Sequence, residues 1–202
     1  PISGKVRTLT NVRGSVTVAR DEGSNALLIT YTDPKTPSSL YTVATIDQIA
    51  DRAKWVRLTD ANPQLSQVAL GDETEITWRS NDGTLVGGVL VKPVGYVLGQ
   101  KYPLIVAIHG GPAAADELTF NGGYGAQVYA GAGYVVLMPN YRASTNYGDK
   151  FKTETQGDYF TKGYQDIMTG VDTLIAQGLV DANQMGVLGW SAGGHYPNWI
   201  ET

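Results

Sequence analysis

The 202-residue sequence predicts an α/β fold, a short β-meander followed by a mostly parallel sheet with helices between its strands. Three observations carry that prediction. Continuous apolar runs at Leu104–Ile108, Tyr134–Met138 and Gly186–Trp190 have the length and composition of strands covered on both faces. Segments of helical character separate them. The first seventy or so residues show β-branched alternation broken by turn residues.

In chain order, Ser15–Ala19 alternates apolar with polar, Ala26–Tyr31 does so less cleanly, and Leu40–Ile46 is rich in β-branched residues. Asp21–Asn25 and Asp33–Pro37 between them are turn chemistry. Three strands with tight turns make a meander of roughly one propeller blade. The alternative is a small β layer laid on the next domain. Asn62–Asp72 is polar and reads as a connector. Glu75–Trp78 and Leu85–Val91 flank Ser80-Asn81-Asp82-Gly83, and Asp-Gly between apolar strands signals a hairpin. The run Leu104–Ile108 then ends in His109-Gly110-Gly111-Pro112. The Ala/Gly-rich stretch from Gly122 to Ala130 is weakly helical. The stretch from Phe160 to Gln177 is better, with Tyr164, Ile167, Met168, Val171, Leu174 and Ile175 on one face and Gly178 placed to end it. Domains are expected at 1–71 and 72–202.

Composition excludes several classes. Lys+Arg number 15 against 19 Asp+Glu, a net charge of −4, so no basic stripe awaits a nucleic acid. With 42% hydrophobic and 17% charged residues the chain has the makings of a core. No apolar run reaches membrane-span length, so no membrane partner is expected. Without Cys there is neither a disulfide nor a thiolate metal site. The two histidines are His109 and His195. No cofactor or metal is implied. Nothing like a signal peptide follows Pro1, and compartment stays open.

Gly189-Trp190-Ser191-Ala192-Gly193 fits G-x-S-x-G between a short apolar strand and residues able to start a helix. That context lifts the Ser191 hydroxyl above the strand ends on a sharp turn, where only small neighbours avoid clashes. The Ala192 N–H, at a helix N-terminus, points to the same spot and suits an oxyanion. His109-Gly110-Gly111-Pro112 also ends a central-type strand, and its two glycines let backbone approach a substrate closely.

These motifs, with Trp78, Tyr102–Val106, Asn140-Tyr141-Arg142 and Tyr147-Gly148 in the same order, make residues 78–199 resemble the hydrolase domain of the prolyl oligopeptidase family of serine peptidases. The likeness is strongest to its dipeptidyl-peptidase and acylaminoacyl-peptidase branches. It implies about five of the eight strands of an α/β-hydrolase sheet, preceded by the end of a β-propeller. It also implies Ser191 as nucleophile, with an oxyanion hole from the Ala192 N–H and a backbone N–H of the Gly110-Gly111 turn, Gly111 preferred. His109 stands where other branches carry Tyr, which favours the acylaminoacyl-peptidase arrangement. Ala192, being small, would leave room beside the scissile bond. Short peptides are the implied substrates, and the oligomeric state of the full-length enzyme, a homo-oligomer included, stays open.

Acyl transfer by serine needs a base and an acid to orient it, in the order Ser, Asp or Glu, His for this fold. Only 11 residues follow Ser191, none of them Asp. The chain is therefore expected to be a fragment of a larger enzyme, inactive alone, with the strand before Ser191 as an apolar open edge. His195 is expected as a packed helix histidine and His109 as a brace for its loop. His109, Tyr141, Arg142 and Tyr147 are candidates for the site rim; for Arg142 the alternative is a loop tied by its hydrogen bonds. Asp158 and Asp166 are expected to face solvent, and Phe160 and Tyr164 to belong to the core. Two rival readings remain: a carboxylesterase using the same chemistry, and an inert chain that needs a partner.

Overall fold

The computed structural model describes residues 7–23, 26–120 and 124–201. Two compact units emerge, Pro1–Val68 and Ala69–Thr202. In the first, β1 (Ser15–Arg20), β2 (Leu27–Asp33), β3 (Thr36–Val43) and β4 (Val56–Arg57) form an antiparallel meander in sequence order. The fourth strand adds to the three expected. Ser24 and Asn25, in the predicted turn before β2, lie outside the described residues. β3 stops short of the predicted Ile46 because the Gln48 side-chain carbonyl accepts the Ala44 and Thr45 N–H groups at 2.9 and 3.3 Å. Those donors leave the ladder and the chain turns into a 3-10 segment, Ile46–Ala50. Ile29, Tyr31, Tyr41, Val43, Ile49 and Trp55 fill the core of this unit.

The second unit is built on five strands: β5 (Glu73–Arg79), β6 (Leu85–Val91), β7 (Tyr102–Ile108), β8 (Val135–Asn140) and β9 (Val180–Gly189). Their order is β5-β6-β8-β7-β9. β7 runs parallel to both β8 and β9, but β5–β6 and β6–β8 are antiparallel, so the sheet is mixed rather than mostly parallel. The tight Asp82-Gly83 hairpin forces the first reversal, since a parallel pair needs a crossover far longer than that turn. Gly83 takes the positive φ of 83° the turn requires.

Helices α1 (Ala126–Gly131), α2 (Asp149–Thr153), α3 (Thr161–Ala176) and α4 (Ala192–Ile200) complete the unit. The helical stretch predicted from Gly122 begins outside the described residues, and α2 has too few residues to show a periodicity. On one sheet face Trp78, Leu104, Val106 and Leu137 cluster with Ile167 and Leu174 of α3. The other carries Val89, Ala107, Val136 and Met138 against Ala126 and Ala130 of α1. Both faces are thus covered, as continuous apolar strands demand. β9 pairs with β7 alone among the described strands. Val180 is buried in the core, Asp181–Met185 is mostly polar and largely exposed, and Gly186–Gly189 is partly buried.

The buried stripe of α3 is not the one hydrophobicity suggests. Ile167, Val171 and Leu174 are buried as expected, but Gly163, Asp166 and Gly170 share their face while Tyr164, Met168 and Ile175 are only partly covered. The glycines admit aromatic rings. A Cβ at Gly170 would stand 2.8 Å from Cε2 and Cζ2 of Trp78, and one at Gly163 would overlap the Tyr196 hydroxyl. Trp78 Nε1–H donates to the Asp166 carbonyl at 2.8 Å, fixing the ring against the helix. Ala is better than Gly by about 1 kcal/mol in a helix interior, but overpacking costs about 1–3 kcal/mol. We therefore expect Gly170→Ala to lower the melting temperature of the full-length protein; a rise, as propensity alone dictates, would contradict this packing.

Candidate active site

β7 and β9 are neighbours and parallel, so their C-terminal ends, Ile108 and Gly189, lie side by side. The two loops singled out in the sequence therefore meet at one edge of the sheet, where ligands of α/β proteins gather. Ser191 is the N-cap of α4 with φ 55° and ψ −123°. A non-glycine residue holds such a conformation only when its surroundings fix it. The surroundings here are two backbone contacts. A Cβ at Gly189 would overlap the Gly193 carbonyl, and one at Gly193 would overlap the carbonyls of Ile108 and His109. From the other loop, a Cβ at Gly110 would stand 2.8 Å from the Trp190 carbonyl oxygen and 3.3 Å from Ser191 Cβ. Gly110 thus packs directly on the turn. Ser191 is exposed, whereas Ala192 is buried. Ala192 heads α4, so its N–H has no carbonyl one turn back to bond.

Neither histidine engages Ser191. His109 is buried, with Nδ1–H donating to the Gly110 carbonyl at 2.8 Å and Nε2 lying 2.9 Å from Ser144 Oγ. Burial holds its pKa below the ordinary histidine value, which keeps the ring neutral. The Gly110 carbonyl can only accept, which puts a proton on Nδ1; the Ser144 hydroxyl next to Nε2 also stands 2.6 Å from the Tyr141 carbonyl, and its single proton serves one of the two acceptors. Both nitrogens are occupied in bracing the loop. His195 is exposed on α4 and lies against the rings of Tyr159 and Phe160, with centroids 6.3 Å away from each. No hydrogen bond joins it to Ser191 among the described residues.

The rim candidates divide. Tyr147 alone of the four is exposed; its ring stacks on Phe151 at 4.8 Å and its hydroxyl accepts from Asn140 Nδ2 at 3.2 Å. His109, Tyr141 and Arg142 lie beneath the loops instead, because each has polar partners that only the interior offers. Tyr141 stacks on His109 at 4.7 Å and donates its hydroxyl to the His109 carbonyl at 3.0 Å. Arg142, fully buried, donates through Nη2 to Asp166 Oδ1 at 2.8 Å and through Nε to Oδ2 at 3.0 Å. It also pairs with Asp82 and, at 3.8 Å, with Glu154. Asp166 is therefore a buried counter-ion rather than the solvent-facing acid its helix position suggested. Asp158 accepts the Thr161 N–H at 3.2 Å, at the start of α3. The sequence pointed to Arg142 but gave no hint of Asp166 as its partner.

Asn140 was quoted only as part of a motif, yet it fastens the loop after Pro112. Its side chain accepts the Asp116 N–H at 2.7 Å and donates to the Asp116 carbonyl at 2.9 Å. The Asp116 carboxyl is left with Oδ2 buried and without a hydrogen-bond partner among the described residues. Burial pushes its pKa up from 3.8 to about 6. No trio of His, Cys, Asp or Glu among the described residues is arranged to hold a metal, and none of the described helices is long and apolar enough to cross a membrane.

Two expectations follow. Gly193→Ala drives a methyl into the Ile108 and His109 carbonyls and should lower the denaturant midpoint of the full-length protein, by about 1–3 kcal/mol in stability; an unchanged midpoint would contradict the close approach. Asp116, with its folded pKa raised, binds more protons folded than unfolded between about pH 4 and 6, so it costs stability as pH rises through that window. Asp116→Asn should thus stabilise the protein at pH 7.5 by about 1–3 kcal/mol, with the gain fading toward pH 4; an equal gain at both pH values would reject burial as its source.

A family model described as the prolyl oligopeptidase family matches residues 120–202. The chain is 35% identical over 175 residues to the uncharacterized peptidase YuxL of Bacillus subtilis, covering 86% of this chain and 25% of that protein. It is 33% identical over 128 residues to dipeptidyl-peptidase 5 of Schizosaccharomyces pombe, covering 63% of this chain and 19% of that protein. The acylaminoacyl peptidase of Pyrococcus horikoshii superposes with a TM-score of 0.79 at 26% identity, covering 98% of this chain and 30% of that one. The chain thus spans a quarter or less of the length of these two curated relatives. Motif order, strand order and these likenesses agree: the chain belongs to the prolyl oligopeptidase family.

Proposed function

We propose that Ser191 is the nucleophile of a serine peptidase, forming an acyl-enzyme on short peptides. The observation that carries this reading is the backbone of Ser191. It is held at positive φ between two glycines that have no room for a side chain, with its neighbours pressed against the Gly110 turn. A strained serine exposed at a strand-to-helix turn is suited to attack, because the turn presents its oxygen while nearby N–H groups stay free for the developing charge. The Ala192 N–H and the Gly111 N–H are the donors assigned to that charge, with the Gly110 carbonyl turned away to His109. Ser191 Oγ attacks the peptide carbonyl, its proton passes to a base, and the amine leaves to give the ester. Hydrolysis of the ester restores the serine.

The base is not His109, whose nitrogens are both engaged, nor His195, which faces aromatic rings. It is assigned to a part of the full-length protein outside these 202 residues, as is the acid that orients it, so this stretch alone is expected to be inactive. The four-stranded meander β1–β4 supports reading residues 1–71 as the end of a β-propeller. That the relatives are named as peptidases supports reading the substrates as amides rather than esters.

In the full-length protein, Ser191→Ala should abolish labelling by a fluorophosphonate probe and reduce aminoacyl-anilide turnover on the order of 10⁴–10⁶-fold. Retained anilide turnover would refute the assignment, and turnover of acyl esters alone would move it to an esterase.

A further inference from the structure

A cavity of about 410 Å³ opens beside the Gly111 turn, and neither the nucleophile nor the oxyanion donors account for it. One wall is Pro112 and Ala113, the residues that directly follow Gly111. Lys152 and Thr153 at the end of α2, with Thr155, Gln156, Gly157 and Tyr159 of the linker to α3, also line it. Tyr159 ties this lining to the nucleophile's helix, since its ring stacks on Tyr196 at 5.9 Å and its carbonyl accepts the Tyr196 hydroxyl at 2.9 Å. The cavity is therefore fastened to both loops that converge on Ser191. Its lining begins two residues after Gly110, which packs on Trp190 and Ser191.

The chemistry of the walls is uneven. Pro112, Ala113 and Ala143 are apolar, Thr153 and Gln156 offer polar groups, and Lys152 is the only charged lining residue among those described. Lys152 is exposed, and its ammonium makes no ion pair with a described residue; Glu154, two residues on, is committed to Arg142 at 3.8 Å and to Lys150 at 3.9 Å. A cation without a counter-ion at the edge of a small-residue cavity suits an occupant with an apolar stem and a carboxylate tip. We propose that this cavity receives a side chain flanking the scissile bond and that Lys152 selects an acidic one.

This rests on the nucleophile reading, and the experiment is arranged so that the two can fail separately. Peptides carrying Glu, Gln or Lys at each of the two positions flanking the cleaved bond are turned over by the full-length protein. At one of those positions Glu should exceed Gln in kcat/KM by about two- to fivefold, the range open to an exposed ion pair. High salt should erase the margin. Lys152→Ala should bring kcat/KM for the Glu peptide down to that for the Gln peptide, and Lys152→Glu should reverse the preference toward Lys. Unchanged ratios in both variants, with Ser191-dependent turnover intact, would overturn the cavity's assignment and leave the nucleophile standing. The same peptides are also titrated calorimetrically into full-length Ser191→Ala protein. Preference for Glu that depends on Lys152 in binding, without Ser191-dependent turnover in the parent, would uphold the cavity and remove the nucleophile. Binding indifferent to residue 152 overturns the cavity again.

Discussion

The buried guanidinium of Arg142 is the interaction on which the site geometry hangs. It follows β8, the strand between β6 and β7, and draws in three carboxylates from three segments: Asp82 of the β5–β6 hairpin, Glu154 after α2, and Asp166 of α3. Burying a cation costs several kcal/mol unless charge and hydrogen bonds are returned to it. Asp166 returns most, since it is itself fully buried and also accepts the Arg142 backbone N–H at 2.8 Å. Asp82 is about half exposed, and its carboxyl is held well below the usual carboxylate range by the Thr84 N–H and then by Arg142. Its share of the stabilisation is therefore screened by solvent. Once Arg142 is fixed, Tyr141 is fixed beside it. Tyr141 props His109, and His109 in turn holds the carbonyl of Gly110, which rests on Trp190 and Ser191. A buried charge thus supports, through Tyr141 and His109, the loop that faces the nucleophile.

The second constraint is steric and entirely backbone. The end of β7 and the start of α4 approach until Gly193 has no space for a Cβ beside the Ile108 and His109 carbonyls. Adjacent parallel strands bring the two loops to the same end of the sheet, and the missing side chains let them touch. Electrostatic support from below and steric closure from above act on the same few residues. Neither would position Ser191 alone. The Arg142 network reaches only the Gly110 side, and the glycines allow the close approach without enforcing it.

What the sequence disclosed and what it withheld divides along this line. Apolar strands, the Asp82-Gly83 hairpin and the elbow around Ser191 are local patterns, and they appear in the fold where their residues stand. Hydrophobicity misplaced the inner face of α3, because it scores glycine as neutral and aspartate as outward. Here Gly163 and Gly170 face inward to receive Tyr196 and Trp78, and Asp166 faces inward to receive Arg142. Partners 24 and 60 residues from Arg142 leave no periodic trace. Tyr141 and Arg142 were legible as important, since they follow a strand end. Whether they face the ligand or hold up those that do depends on where their counter-ions fold. The end of β3 was missed for a similar reason, a single Gln48 side chain outbidding the ladder for two N–H groups.

The loop between β8 and α2 shows how these supports bear on the cavity beside Ser191. Ala143 and Asn146 both adopt positive φ, 94° and 74°, at a cost of order 1–3 kcal/mol each. Such conformations persist only where neighbours overdetermine them. Ala143 is flanked by Arg142 and Ser144, both fully buried and bonded, and its own N–H donates to the Phe151 carbonyl at 3.1 Å. Asn146 is held through its side chain to Glu117 at 2.8 Å, while the Thr145 N–H donates to the Ala114 carbonyl at 2.9 Å. The same loop thereby grips the Pro112–Asp116 strand of backbone on one side and α2 on the other. Ala143 lines the cavity together with Pro112, Ala113 and Lys152. One lining residue of the cavity therefore sits in strained backbone beside the buried Arg142, so the pocket and the nucleophile's loop share a support.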